Sequence, residues 1–216
     1  MTFHLFVFDL DGTLVDSRRD LADSMNLLLE ATGAPTLPED AIGRMVGEGA
    51  AALVARAFTA AAHPAPPDAL RRFLEIYDTR LLRHTRPYPE IPRVLSELAA
   101  SVPLAVLTNK PLASTRAVLE GLDLARYFGD DAVIGGDGPF PRKPDPAGLR
   151  HHMSRARADA ETTMMVGDSV IDLKVARAAG CAVCLARYGF GFEMFPAEFL
   201  TSHDRTIDEP AELLRL

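Results

Sequence analysis

Basic charge is scarce in this chain. Twenty-three Lys and Arg face thirty Asp and Glu, leaving a net charge of −7 over 216 residues. That balance argues against nonspecific binding to nucleic acid or to anionic lipid, although a local cationic pocket for a small anion remains compatible with it. No apolar run approaches the roughly 20 residues needed to cross a bilayer as a helix. The first residues lack the basic flank and cleavage site of a signal peptide, and their apolar stretch contains Asp9 and Asp11, so a cytoplasmic location is expected. Cysteine is nearly absent: Cys181 and Cys184 stand alone, in a run Cys181–Ala186 that reads as a strand. Residues i and i+3 of a strand face opposite sides, which suits neither a disulfide nor a shared metal, so both are expected to be structural. Repeats and low-complexity tracts are also lacking. Lysine occurs three times against twenty arginines, which makes each lysine worth locating.

Apolar strand-like runs recur at residues 3–8, 103–108, 132–134, 162–166 and 181–186, separated for the most part by helical patterns near 89–100, 111–121, 145–157 and 169–179. Strands alternating with helices predict a Rossmann-like α/β fold, a doubly wound parallel sheet covered on both faces. Pro111 and Pro146 suit first-turn positions, Asp145 an N-cap, and Gly121 and Gly180 helix C-termini. Residues 16–83 break the alternation, with helical patterns near 17–32, 39–46, 50–62 and 67–83 divided by Gly33–Pro35 and His63–Pro67. A first crossover this long implies an inserted α-helical domain. The expected organisation is an α/β core formed by 1–15 and 84–216 with a helical cap at 16–83.

Ligands in open α/β sheets bind beyond the carboxyl ends of the strands, and four polar clusters fall at such places. The first strand finishes in Asp9 and Asp11, followed by Gly12. While the backbone stays extended, residues two apart project from one side, and oxygen-rich side chains at a sheet edge suit a hard cation such as Mg²⁺. Thr108-Asn109-Lys110 precedes a helix, where a hydroxyl and free N–H groups can seat a phosphate. Lys143 stands beside Arg142 ahead of another helix, and its compact point charge is suited to a single anionic oxygen. Asp168 ends a strand, where it could join the first acidic pair around one cation. Asp172 follows Ser169 in a capping-box pattern, so helix capping competes with a metal-shell role for it.

Taken in order, D-x-D-G-T, T-N-K, K-P-x-P and G-D-S-x-x-D cover nearly the whole chain, and they resemble the haloacid dehalogenase-like hydrolase superfamily. Val46–Ala50, Thr108–Pro111, Ala179-Gly180 and Tyr188–Phe190 are similar to its phosphoglycolate phosphatase-like branch. The resemblance implies a Mg²⁺-dependent phosphatase for a small phosphate monoester, with 2-phosphoglycolate as the leading substrate. In it Asp9 is the nucleophile that becomes an aspartyl-phosphate, and Asp11 is the acid and then the base. It further implies Mg²⁺ on Asp9, the Asp11 carbonyl and Asp168, phosphoryl oxygens on Thr108, Asn109 and Lys143, and Asp172 on a metal water or capping. The cap loop Gly47, Glu48, Gly49 would approach the substrate, and Arg44 or the arginines of 71–86 would meet a substrate carboxylate unless they form a solvated helix face. His151 and His152 are expected at the surface.

The alternatives are a phosphatase for a sugar phosphate, a nucleotide or pyrophosphate, and more distantly a sugar phosphomutase or a non-enzymatic phospho-receiver. Asp11 separates the phosphatases from dehalogenases and phosphonatases, which need no acid for an alkoxide. Mutases usually carry a cap histidine where this chain reads Ser17–Asp20. Receivers are shorter and lack a helical insertion. The expected partner is a small phosphorylated metabolite, with the chain a monomer or homodimer and neither nucleic acid nor membrane required.

Overall fold

The computed structural model describes residues 2–216. Six parallel strands form one sheet: β1 (Leu5–Phe8), β4 (Leu104–Leu107), β5 (Val133–Ile134), β6 (Thr163–Gly167), β7 (Ala182–Ala186) and β8 (Arg205–Ile207), in the order β5-β4-β1-β6-β7-β8. Alternation sorts their side chains. Phe6, Phe8, Val106 and Val166 pack on one side with α5 (Ile91–Ala99) and α6 (Leu112–Gly121), whereas Val7, Leu107, Met165 and Leu185 pack on the other with α7 (Ala147–Ala156) and α8 (Val170–Ala179). With both faces covered, these strands read as continuous apolar runs, as parallel sheets do.

Between β1 and α5 the chain leaves the sheet. A two-residue antiparallel ribbon pairs β2 (Val15–Asp16) with β3 (Arg86–Pro87). Between its strands lie α1 (Arg18–Ala31), α2 (Glu39–Gly43), α3 (Ala50–Ala60) and α4 (Ala69–Asp78). Met25, Leu28, Phe58 and Phe73 fill the interior of this helical segment. At the ribbon, Asp20 is fully buried and accepts from the backbone N–H groups of His84 and Thr85 and from the Thr85 hydroxyl, fastening α1 to the returning chain. A buried carboxylate with this many donors is satisfied without a cation.

Several local expectations shift. Pro111 and Pro146 occupy the N-cap, one residue before the first turn, and Asp145 accepts the Ala147 N–H at 2.9 Å. Gly180 closes α8 in the left-handed conformation at φ 81°. Both cysteines are free, and burial pushes each thiol up to about 12, as expected of structural positions. β2, β3 and β8 escape the sequence because, unlike the equally short but apolar β5, they mix polar and apolar residues over two or three positions and form no apolar run.

His152 corrects the expectation of a surface residue. Its imidazole is buried under the sheet and Nε2 meets the Val106 carbonyl at 3.1 Å. Burial, the largest effect on it, depresses its pKa from 6.5 to about 4. The unfolded chain therefore takes up a proton that the folded chain refuses, and stability falls as pH drops from 6.5 toward about 4. At about 1.4 kcal/mol per pH unit, the loss from this group is on the order of 3 kcal/mol. Urea unfolding across that pH range should show a steeper decline for wild type than for His152→Gln; parallel curves would refute the assignment.

Candidate active site

The clusters anticipated from sequence converge at the carboxyl edge of β1, β4 and β6. The Asp9 N–H bonds the Val166 carbonyl at 2.9 Å, so residue 9 continues the sheet register by one step. Its Oδ1 accepts from Leu10 N–H at 2.8 Å and lies 2.9 Å from Lys143 Nζ. Lys143, supplied by the loop between β5 and α7, also reaches Asp172 Oδ1 at 2.6 Å. Asp172 Oδ2 meanwhile accepts from the N–H and hydroxyl of Ser169. The capping box is real, and the same carboxylate clamps the lysine. Two of Lys143's three donors are thereby used, leaving one for a substrate oxygen.

Asp168 accepts from Gly191 N–H at 2.7 Å, and the backbone wraps closely around it. A Cβ on Gly12 (φ 82°) or Gly189 would fall on its carboxylate. Asp9, Asp168 and Asp172 are all buried and each places an oxygen within 4.8 Å of the others. Burial, followed by Asp172 and Asp9, raises Asp168 well above the usual carboxylate range. Burial likewise raises Asp9 to about 6, with Lys143 opposing the rise and Asp172 adding to it. For Lys143 burial works against the ammonium, yet Asp172 and Asp9 outweigh it and hold the pKa above normal. Three carboxylates share one ammonium, an excess of negative charge in hard oxygen donors, and this set fits a divalent cation.

The strand ends at Phe8 and the chain turns at Gly12. The Asp11 carboxylate lines the same cleft as Asp9 and accepts from Ser17 Oγ (2.6 Å) and from Lys110 Nζ, at 3.1 and 3.2 Å to its two oxygens. Lys110 in turn meets the Tyr77 hydroxyl of α4 at 2.5 Å. Sequence reading assigned no role to Lys110 or Tyr77; the rarity of lysine was the available signal for the first.

Asp9, Asp11, Thr108, Asn109, Lys110 and Asp168 line one cleft. Leu21, Val46, Leu53, Phe73 and Leu74 of the helical segment, with Phe190, give it an apolar wall. Thr108 Oγ1 accepts from Lys110 N–H at 3.3 Å, which leaves its own proton to donate. Asn109 Nδ2 bridges the Gly47 and Lys143 carbonyls at 2.9 and 3.0 Å, while its buried Oδ1 has no partner. Gly47 and Gly49 line the cleft, but Glu48 is exposed and pairs with Arg56. Arg44 is exposed, Arg71 pairs with Asp68 and Glu75, and among the described residues no arginine lines the cleft. Arg44 and Arg71 are thus solvated, whereas Arg80 is largely buried against Asp23, and Lys110 is a cation on the cleft surface.

Residues 6–186 match the sequence profile of a family described as haloacid dehalogenase-like hydrolase. A Rhodospirillum rubrum protein named phosphoglycolate phosphatase is 44% identical over 196 residues, 87% of this chain and 80% of that protein. A Caulobacter vibrioides protein of the same name is 38% identical over 198 residues, 89% and 82% of the two chains. Among solved structures, a predicted phosphoglycolate phosphatase from Haemophilus somnus superposes with a TM-score of 0.90 at 31% identity, covering 100% of this chain and 98% of that one.

Proposed function

The chain belongs to the haloacid dehalogenase-like hydrolases, and on that premise we propose that it is a Mg²⁺-dependent phosphatase hydrolysing 2-phosphoglycolate through an aspartyl-phosphate. The observation that carries this reading is Asp9 clamped by Lys143 at the sheet edge, beside Asp168 and beneath a cleft walled by an inserted helical segment. Residues 1–15 and 84–216 form the catalytic core and 16–83 the cap, working in the cytoplasm. The names of the relatives support the substrate.

Asp9 Oδ1 is occupied by Leu10 and Lys143, so Oδ2 attacks phosphorus. As the P–O bond to the substrate carbon skeleton breaks, Asp11 passes a proton to the departing oxygen. Water then attacks the aspartyl-phosphate and Asp11 takes a proton from it, releasing phosphate and restoring Asp9. Thr108 Oγ1 and the free donor of Lys143 stabilise the phosphoryl oxygens, where transition-state charge collects. Mg²⁺ held by Asp9, Asp168 and the Asp11 carbonyl, with Asp172 supporting its hydration, would neutralise the acidic excess and polarise the phosphoryl group. Asn109, by holding the Gly47 carbonyl, keeps the cap loop over the core, which excludes water. A mutase reading would call for a histidine in the cleft, and among the described residues none lines it.

Phosphate release in Mg²⁺ from 2-phosphoglycolate, beside sugar phosphates, nucleotides and pyrophosphate, tests the proposal. The expected result is the highest kcat/KM on 2-phosphoglycolate. Comparable or better turnover of another member would remove the substrate and keep the reaction class.

A further inference from the structure

The Lys110–Tyr77 pair has no part in phosphate binding, and its burial needs a reason. Lys110 is 6% exposed. Placing an ammonium there is unfavourable unless it is fully paired. Its three donors meet three acceptors: Asp11 Oδ1 at 3.1 Å, Asp11 Oδ2 at 3.2 Å and Tyr77 Oη at 2.5 Å. The ammonium also lies 4.4 Å from the Tyr77 ring centroid. Tyr77 is 2% exposed and stacked on Phe73 at 5.8 Å, so α4 fixes its position. Asp11 and Lys110 belong to the sheet unit and Tyr77 to the helical segment. The three groups thus form a contact chain from one unit to the other, ending on the carboxyl that faces the leaving group.

We propose that Lys110 and Tyr77 are positioning residues for Asp11, so that docking of the helical segment completes the acid that serves the leaving group. The inference rests on the phosphatase reading. Lys110 holds both carboxyl oxygens and Ser17 bonds one of them, which fixes the carboxyl plane against rotation. When the Asp11 proton passes to the departing alkoxide, the carboxylate left behind meets an ammonium already in place, and charge develops where it is stabilised. Neither Lys110 nor Tyr77 gains or loses a proton in this step. The opposing possibility, that Lys110 binds a carboxylate of the substrate, would require it to give up one of these acceptors.

The leaving group separates the two. Wild type, Lys110→Met and Tyr77→Phe are compared in kcat/KM, which reports the steps through phosphoryl transfer, on 2-phosphoglycolate, ethyl phosphate and 4-nitrophenyl phosphate. The first two expel an alkoxide that needs a proton; 4-nitrophenolate leaves unaided. Lys110→Met should lower kcat/KM on both alkyl phosphates by about 10²-fold and Tyr77→Phe by about 10-fold, with 4-nitrophenyl phosphate within about threefold of wild type. An equal loss on all three substrates would mean a purely structural role and overturn the proposal. A loss confined to 2-phosphoglycolate would assign Lys110 to the substrate carboxylate and also overturn it. Tyr77→Phe keeps the ring and its packing, so it decides the matter by itself if Lys110→Met does not fold. Wild type inactive on every monoester would instead end the phosphatase reading, and this inference with it.

Discussion

Asp9→Asn is expected to abolish phosphate release, with kcat lowered by at least about 10⁴-fold, the scale on which loss of a covalent nucleophile is felt. The fold should remain. An amide oxygen can still accept the Leu10 N–H that Oδ1 accepts now, and Asp172 still pairs with Lys143. The electrostatics favour the variant. Asp9 in the folded chain has its pKa raised from 3.8 to about 6, with burial the main cause. An acid with a raised folded pKa contributes stability at low pH and loses it as pH rises from 3.8 through about 6. Asn removes that penalty at neutral pH, although it also removes one of the two carboxylates that pair with Lys143. With a chelator present, Asp9→Asn should therefore unfold at the same temperature as wild type or higher. Residual turnover above about 1% would sink the nucleophile assignment, and a large drop in the unfolding temperature would show that the lost Lys143 contact outweighs the relief.

What could be read from the sequence, and what could not, follows from the distance over which each feature is encoded. Asp9, Thr108 and Asp168 stand at the ends of apolar runs, and a parallel sheet brings such ends to one edge whatever the loops do. Ser169 and Asp172 are a local pattern within one helical turn, and the capping box forms as read. Lys143 needed one step more, since its partners are 134 and 29 residues away in sequence, but the scarcity of lysine marked it. Tyr77 carried no mark at all: in an amphipathic helix with Phe73, a tyrosine reads as core, and only the approach of α4 to Lys110 gives its hydroxyl a task. The two-residue period that pairs Asp11 with Asp9 is local, whereas Ser17 and Lys110, which hold the Asp11 carboxylate, come from other elements and carry no such pattern. His152 is misread for a different reason. Neighbouring histidines in a helix suggest solvent, but the helix phase turns one of them onto the sheet, where a β4 carbonyl accepts it.

Lys143→Met should damage catalysis and folding together, because one ammonium serves both. Its side chain is 1% exposed and lies 2.9 Å from Asp9 and 2.6 Å from Asp172. Removing it leaves two buried carboxylates facing each other without a counter-charge, and breaking a buried ion pair in this way costs about 3–5 kcal/mol. Against a total of about 5–15 kcal/mol for a typical domain, the variant should be visibly destabilised but foldable. The rate should fall by about 10²–10³-fold, as for loss of one preorganised donor at a developing oxyanion. Lys143→Arg offers no remedy, since a planar fork cannot occupy the place of a compact ammonium clamped between two carboxylates. Divalent cation separates the two effects. The acidic set of the variant is more negative, so it should bind cation more tightly, and ligand bound to the folded state alone raises stability by mass action. Adding Mg²⁺ should therefore raise the unfolding temperature of Lys143→Met more than that of wild type, while the lost turnover stays lost, because a cation among the carboxylates cannot replace a donor aimed at the phosphoryl oxygens. Unchanged kcat with reduced stability would confine Lys143 to holding the carboxylates apart, and equal Mg²⁺ shifts in the two proteins would place the cation away from Asp9 and Asp172.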